Sequence, residues 1–303
     1  VPMFGGKGIW ISVFLSVSAY CNAGFDILGF LKPDASLELF VGDPLVCLTI
    51  CCLIILGGIG FIVTVDLYNW GRKRVRKEER RPHLTLHTRI VLVSTVSLLV
   101  LGTVLTLGLE YDHTLKDLNF WEKLNASFFQ SVTARTAGYA TIPQGELGDA
   151  TKLVTIILMF IGASPGSTGG GIKTSTLFVL IQGIKSAATN RSEKAFHNAI
   201  PKDAFRKASV ITLLAVALVS AGTWLMAILE PGISLMDALF EVTSAFGTVG
   251  LSTGITTDLG VGAKLLSISI MYIGRLGPLT VASLWYFSRG EHISFPEGNI
   301  SIG

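Results

Sequence analysis

The sequence predicts an all-α polytopic membrane protein. Three observations predict it: an apolar, charge-poor composition, a sorting of the charges into loops between long apolar blocks, and an internal repeat centred on glycine. Of the 303 residues, 50% are apolar, 15% are charged and 33 are glycine, and the mean hydropathy is +0.59. A soluble globular chain gives about 25% of its residues to Asp, Glu, Lys and Arg and about 7% to Gly, so an ordinary soluble domain is excluded. The apolar content excludes disorder. A formal net charge of +3 gives no reason to expect nucleic acid as a partner, because membrane topology accounts for the basic residues.

A spanning helix needs about 20 predominantly apolar residues. Taken in order, the chain offers a short half-apolar stretch at Ile9 to Tyr20 and a spanning block from Leu45 to Leu67. A second block runs from Ile90 to Leu109, followed by a short stretch at Phe120 to Val132. An overlong block at Leu153 to Ile184 is interrupted, and Val210 to Leu229 reads as a further span. The short stretch Met236 to Phe246 and the span Leu265 to Phe287 complete the series. The three short stretches cannot cross a bilayer, and each runs into a glycine motif, so they read as re-entrant helices.

Orientation follows from the enrichment of Lys and Arg on the cytoplasmic side. Arg72, Lys73, Arg74, Arg76, Lys77, Arg80, Arg81 and Arg89 follow the first span, and Lys185, Arg191, Lys194, Lys202, Arg206 and Lys207 follow the interrupted one. Both segments are expected in the cytoplasm. The segments with Glu110, Asp112, Asp117, Glu146, Asp149, Glu230 and Asp237 are expected outside, with the re-entrant helices. Cys21, Cys47, Cys51 and Cys52 have no zinc-type spacing and read as small buried thiols. No signal peptide is visible at the start, and a chain opening on Val1 reads as a fragment.

Three segments superpose on a glycine: Ser18 to Phe25 with Asn22-Ala23-Gly24, Val132 to Tyr139 with Thr136-Ala137-Gly138, and Ser244 to Leu251 with Thr248-Val249-Gly250. The glycines are 114 and 112 residues apart (138 − 24 and 250 − 138). The repeated unit is an outward span, a re-entrant helix, a small-residue loop and an inward span. These loops carry no acid, base or nucleophile suited to catalysis, so what they offer is backbone. Glycine permits φ > 0, which lets successive carbonyls turn one way and replace the hydration shell of a cation. The C-terminal ends of the three short helices add the negative ends of their dipoles.

On these residues the chain resembles the Trk/Ktr/HKT superfamily of potassium transporters, in which four membrane-pore-membrane (M1-P-M2) units surround a central, K+-channel-like pore. Thr248-Val249-Gly250-Leu251 is similar to the filter signature of potassium channels. Arg135-Thr136-Ala137-Gly138-Tyr139, Phe246 to Gly254 and Ala163 to Thr174 are its most specific strings, and the last resembles the Ktr-type membrane (pore) subunit. The resemblance implies that residues 1–70 hold the re-entrant helix, filter and inner span of the second unit. Residues 71–89 would be a basic cytoplasmic loop, 90–184 the third unit, 185–207 a cytoplasmic loop, 208–288 the fourth unit and 289–303 a cytoplasmic tail. The first unit and the outward span of the second are absent from it, so an N-terminally incomplete record is expected. Relatives preferring Na+ commonly carry Ser in place of the first filter glycine, which leaves K+ against Na+ selectivity resting on three glycines.

The string Gly162-Ala163-Ser164-Pro165-Gly166-Ser167-Thr168-Gly169-Gly170-Gly171, with Lys173 after it, cannot hold a straight helix. Such backbone at membrane depth is tolerated where it lines a cavity, and in the family the matching loop is a gate. A phosphate-binding loop is the rival reading, but Gly166-x4-Gly171-Ile172-Lys173-Thr174 carries one inserted residue and no strand precedes it. Arg275, in an apolar span, is costly and functional by default, and the resemblance places it in the cavity inside the filter. Arg135 should turn away from the pore toward an acid, and Glu241 is the expected partner. His83 and His87 lack the acid of a zinc-protease motif and read as solvated loop residues.

The resemblance implies potassium uptake through a filter of Asn22 to Gly24, Thr136 to Gly138 and Thr248 to Gly250, with no enzyme activity and no cofactor in this chain. It also implies K+ as the transported ion, with Na+ coupling common in the Ktr branch, and a multi-pass location in the bacterial cytoplasmic membrane. The partners implied are membrane lipid, a second copy in a homodimer, and an octameric cytosolic ring of nucleotide-binding regulatory subunits. The alternatives are a Na+ transporter of the HKT type and a truncated, non-conducting subunit.

Overall fold

The computed structural model describes residues 6–31, 36–77, 83–190, 194–196, 198–201, 203–277 and 280. Ten α-helices lie among them: α1 (Gly6–Tyr20), α2 (Pro44–Gly58), α3 (Phe61–Val75), α4 (Leu86–Glu110), α5 (Phe120–Thr133), α6 (Asp149–Phe160), α7 (Thr174–Thr189), α8 (Ala204–Leu229), α9 (Leu235–Gly247) and α10 (Val261–Leu276). The only strands among the described residues are a hairpin of β1 (Lys194–Ala195) and β2 (Asn198–Ala199).

Helix starts follow local chemistry. Asp43 accepts from the N–H groups of Leu45 and Val46 ahead of Pro44, and Thr85 accepts from Thr88. At α5 the Asn119 N–H donates back to Glu122 at 2.9 Å, and Ser234 caps α9 through the Asp237 N–H. Side-chain acceptors of this kind satisfy donors that a helix leaves unpaired.

α4 and α8, of 25 and 26 residues, are long and apolar enough to cross a membrane, reaching about 37–39 Å at 1.5 Å per residue. The short helices α5 and α9 sit inside the molecule, α5 against α4 and α2, α9 against α6, α8 and α10. α9 is buried at Ala238 and continuously from Phe240 to Gly247. Their polar residues are therefore enclosed and paired: Ser131 Oγ donates to the Leu99 carbonyl at 2.9 Å, and Thr133 Oγ1 to the Tyr139 carbonyl at 2.6 Å.

Four expectations need correction. The first span is not one helix: α2 and α3 meet at a 98° bend, because Gly60 takes φ 86° and the Phe61 N–H donates to the Gly166 carbonyl at 3.1 Å. The basic residues Arg72, Lys73 and Arg74 lie in the last turn of α3, where cations favour the helix dipole, rather than in a loop. The last span is not one unbroken helix: α10 ends at Leu276, with Gly277 at φ 90°, and of the stretch predicted to continue it, Thr280 is helical while 278, 279 and 281–287 lie outside the described residues, as do Arg80, Arg81, Arg191 and Lys202. Of the four cysteines only Cys47 and Cys51 are buried, whereas Cys21 and Cys52 are exposed.

Candidate functional site

The three short helices α1, α5 and α9 each end in a loop with one backbone pattern. Asn22, Thr136 and Thr248 take φ of 50°, 75° and 51°, and Gly24, Gly138 and Gly250 take 69°, 88° and 95°. The residue between, Ala23, Ala137 or Val249, stays at negative φ. Reversing the sign of φ at each step rotates successive peptide planes, so neighbouring carbonyls can face one side. Holding Asn or Thr at positive φ costs about 1–2 kcal/mol per residue, which the chain accepts three times.

The loops abut in chain order. A Cβ on Gly24 would strike the Ala137 carbonyl, and one on Gly138 would strike the Val249 carbonyl. The Asn22 amide lies 3.3 Å from Thr136 Oγ1. With its oxygen toward that hydroxyl, its nitrogen donates to the Ile54 and Ala19 carbonyls, both at 3.2 Å. Tyr139 Oη, fully buried, donates to the Phe25 carbonyl at 3.1 Å and ties two of the loops together.

Behind the Thr136 loop the Gln130 and Gln144 amides pair at 2.7 and 3.0 Å. Behind the Thr248 loop stands Glu241, whose carboxylate accepts from Ser252 Oγ, from the Thr253 N–H at 3.2 Å and from Thr256 Oγ1 at 3.0 Å. The expected Arg135–Glu241 pair is not formed. Arg135 is buried on the other side, lining a small space with Ile54, Thr95 and Ala163, and its Nε has no partner among the described residues. Glu241 reaches its own loop instead. In the first turn of α9 Asp237 accepts from Lys152 at 3.0 Å. Burial opposes the charged form of Asp237, but hydrogen bonds from Ser234 and Lys152 outweigh it and hold the carboxyl below its ordinary range.

Against the Thr136 and Thr248 loops lies the non-helical segment 161–173. Its neck is closed by the bridge Ile161–Ile172 and by the Ile172 N–H donating to the Phe160 carbonyl at 3.1 Å. Within it Gly166 and Gly171 take positive φ. The Gly170 N–H donates to Thr248 Oγ1 at 3.1 Å, and a Cβ on Gly169 would strike Thr136 Oγ1. Ser164 is held at both ends, its N–H by the Gly58 carbonyl and its hydroxyl by Thr174, each at 3.0 Å. Pro165, Ser167 and Thr168 form the turn facing the α2–α3 bend, where Gly60 has no room for a Cβ beside the Pro165 carbonyl. Two cations point into the segment: Lys173 Nζ donates to the Gly169 carbonyl at 2.6 Å, and Arg275 to the Thr168 carbonyl. Gly162 and Ala163 pack inside, a Cβ on Gly162 meeting the Gly170 carbonyl.

Asn22 to Gly24, Thr136 to Gly138 and Thr248 to Gly250 thus lie on the three loops and Gly162 to Lys173 on the segment packed against two of them, while Arg275 sits in the last turn of α10. Not foreseen were the carboxylates that close the repeats of the Thr136 and Thr248 loops. Glu110, at the end of α4, accepts the Gly148 N–H at 3.0 Å, and Glu230, just after α8, accepts the Gly260 N–H at 2.6 Å. A glutamate at equivalent places in both repeats was the signal. No group of three or more metal-binding side chains is found among the described residues.

The profile of a family described as "TrkH: Cation transport protein" matches residues 5–287. Among curated relatives, the chain is 36% identical to a Bacillus subtilis protein named "Ktr system potassium uptake protein B" and 38% identical to an Enterococcus hirae protein named "Potassium/sodium uptake protein NtpJ". In both cases all of this chain and 66% of the relative are covered. The chain therefore spans just under two thirds of the length of these relatives. Among solved structures it resembles "Crystal Structure of the Potassium Transporter TrkH from Vibrio parahaemolyticus" with a TM-score of 0.67 at 19% identity, over 89% of this chain and 57% of that one. That likeness concerns the fold.

Proposed function

The chain belongs to the TrkH family of cation transport proteins, a family of transporters and not of enzymes, and from that membership we propose that it passes K+ across the bacterial cytoplasmic membrane. The ion is bound through backbone oxygens of Asn22 to Gly24, Thr136 to Gly138 and Thr248 to Gly250. The observation that carries this reading is the single φ pattern shared by three loops in mutual contact. Carbonyls aligned this way replace water around a weakly hydrated cation and need no ionised side chain.

An ion leaving the loops inward meets the segment 161–173, so passage requires that segment to move. Releasing it breaks the Gly170–Thr248 hydrogen bond and the two cation–carbonyl contacts. Arg275 and Lys173 then act as fixed positive charges beneath the pathway. The name "Ktr system" on a relative supports work alongside a separate subunit, and the resemblance of the string Ala163 to Thr174 to the Ktr branch adds to the proposal a cytosolic, nucleotide-binding regulatory partner and assembly as a homodimer. The name "Potassium/sodium uptake protein" on another favours Na+ as the second reading, either coupled to K+ or carried in its place.

The test is growth on low potassium of a strain lacking its own K+ uptake, expressing the full-length protein, with Gly250→Ser as the control. Rescue by the wild type and weaker K+ preference in the variant are expected. Failure to rescue despite membrane expression would sink the proposal, and Na+ uptake that K+ does not inhibit would select the second reading.

A further inference from the structure

Between the broken helix pair α6 and α7 and the long helix α8 lies a cavity of about 310 Å3. Ile156 and Phe160 of α6, Leu180 of α7 and Leu239 of α9 form its walls, and Ile157 and Val216 form its mouth, being 51% and 46% exposed. Val216 stands 12 residues after Ala204 and 13 before Leu229 (216 − 204 and 229 − 216), at the midpoint of α8. With α8 crossing the bilayer, each end is about 18–20 Å away along the helix. At that depth the mouth lies within the hydrocarbon layer, beyond the reach of water and of headgroups.

Size and chemistry narrow the occupant. A helix with its side chains is about 10–12 Å wide, whereas the cavity equals a cube about 7 Å on an edge, so a helix of a second copy does not fit and a linear chain does. The lining is almost wholly apolar. Of its three hydroxyl residues, Thr212 donates to the Ala208 carbonyl at 2.9 Å, Ser220 is exposed at the mouth, and Thr243 Oγ1 is buried on the inner wall without a partner among the described residues. Nothing here would reward a charged or strongly polar ligand for losing its water. The inner wall also includes Ile161 and Ile172, the pair that closes the neck of the segment 161–173.

We propose that this cavity receives the distal part of one acyl chain of a bilayer phospholipid, which lies against the neck of the segment 161–173. The proposal rests on α8 crossing the membrane and not on the identity of the ion. It ties the segment below the glycine loops to the lipid around the protein.

The test uses the full-length protein in phosphatidylethanolamine/phosphatidylglycerol vesicles containing phosphatidylglycerol with a diazirine near the end of one acyl chain. After irradiation, adducts are mapped by peptide mass spectrometry, and K+ uptake is measured in the same vesicles. Adducts are expected on 156–161 and 212–220, and Val216→Trp and Ser220→Phe, which fill the mouth in two ways, should each cut the yield roughly tenfold. Leu213→Trp, on the same helix at a residue 69% exposed and outside the cavity, should leave it unchanged. Absence of adducts in the wild type, a yield that neither filling variant lowers, or a disulfide between two copies through Val216→Cys would overturn the proposal. Labelling that persists while uptake is absent would count against the transport reading and leave this site standing.

Discussion

The Thr136 and Thr248 loops reach one backbone conformation by different means. Both follow a short buried helix, both put a threonine and a glycine at positive φ, and both lie in a repeat closed by a glutamate on a glycine N–H. The Thr136 loop is enclosed, with Thr136, Ala137 and Tyr139 fully buried, and neutral groups brace it: two glutamines and a tyrosine. The Thr248 loop opens toward the outer surface at Ser252 and Thr256, and a carboxylate braces it. Burying an ion is costly unless several donors satisfy it, and Glu241 has three beside an exposed rim. What repeats in this chain is the backbone, and each brace suits the exposure of its own loop.

The sharpest way to break the equivalence is to add a methyl to each glycine. Gly138 and Gly250 share positive φ, so either change strains the backbone by about 1–3 kcal/mol. A Cβ on Gly138 also strikes the Val249 carbonyl, whereas one on Gly250 finds only the Gly138 Cα at 3.6 Å. Gly138→Ala should therefore abolish K+ uptake in vesicles, and Gly250→Ala should leave a reduced, less selective flux. Equal loss in both would mean that strain alone matters and that the contact between the loops does not.

Next come the braces. Glu241→Gln keeps one oxygen for Ser252 and the Thr253 N–H but puts a donor opposite Thr256 Oγ1, which must turn to accept, and it exchanges charge-assisted hydrogen bonds for neutral ones, a loss of about 1 kcal/mol. If it falls on the loop, Na+ should inhibit K+ uptake roughly fivefold more strongly than in the wild type. Gln130→Met leaves Gln144 its bond to the Ile142 carbonyl at 2.8 Å, so a smaller loss of discrimination is expected. The threonines differ as well, since Thr248 Oγ1 accepts from the segment below while Thr136 Oγ1 faces Asn22. Thr248→Val should free that segment by about 1 kcal/mol and raise basal flux about fivefold, and Thr136→Val should not.

Much of this was legible in the sequence because it is local. Apolar blocks, a repeat of 112 to 114 residues and a run of Gly, Pro and Ser each declare a structure without reference to distant residues, and α4, α5, α8, α9 and the segment 161–173 fall where such signals put them. The bend between α2 and α3 was hidden because its cause lies far along the chain: the Gly166 carbonyl takes the Phe61 N–H, and the Pro165 carbonyl fills the space beside Gly60. Gly57-Gly58-Ile59-Gly60 permitted the bend without requiring it. Arg135 and Glu241 failed as a pair for a related reason. Sequence places two opposite charges near filters, but the direction of each side chain is set by packing, Arg135 just after the end of α5 and Glu241 in the middle of α9. The break after α10 had a local sign in Gly277, which takes φ 90°.

The smallest expected effect concerns two lysines, each four residues after a glycine that opens an inward helix: Lys152 after Gly148 and Lys264 after Gly260. Lys152 is mostly buried and donates to Asp237, whereas Lys264 is exposed and donates to the Thr257 carbonyl at 3.2 Å. The Asp237 carboxyl titrates below its ordinary value of 3.8, so its folded form is favoured when ionised. That stability is fully present above pH about 4 and is lost as the pH falls through the lower, folded-state value. Asp237→Asn should thus lower the melting temperature in detergent by the equivalent of about 1 kcal/mol at pH 7, with the gap to the wild type closing as the wild-type carboxyl is protonated in acid. Lys264→Met should shift it at neither pH. A gap that persisted in acid would mean that Asp237→Asn disturbs the Ser234 cap rather than the ion pair, and the two repeats would then differ in capping and not in charge.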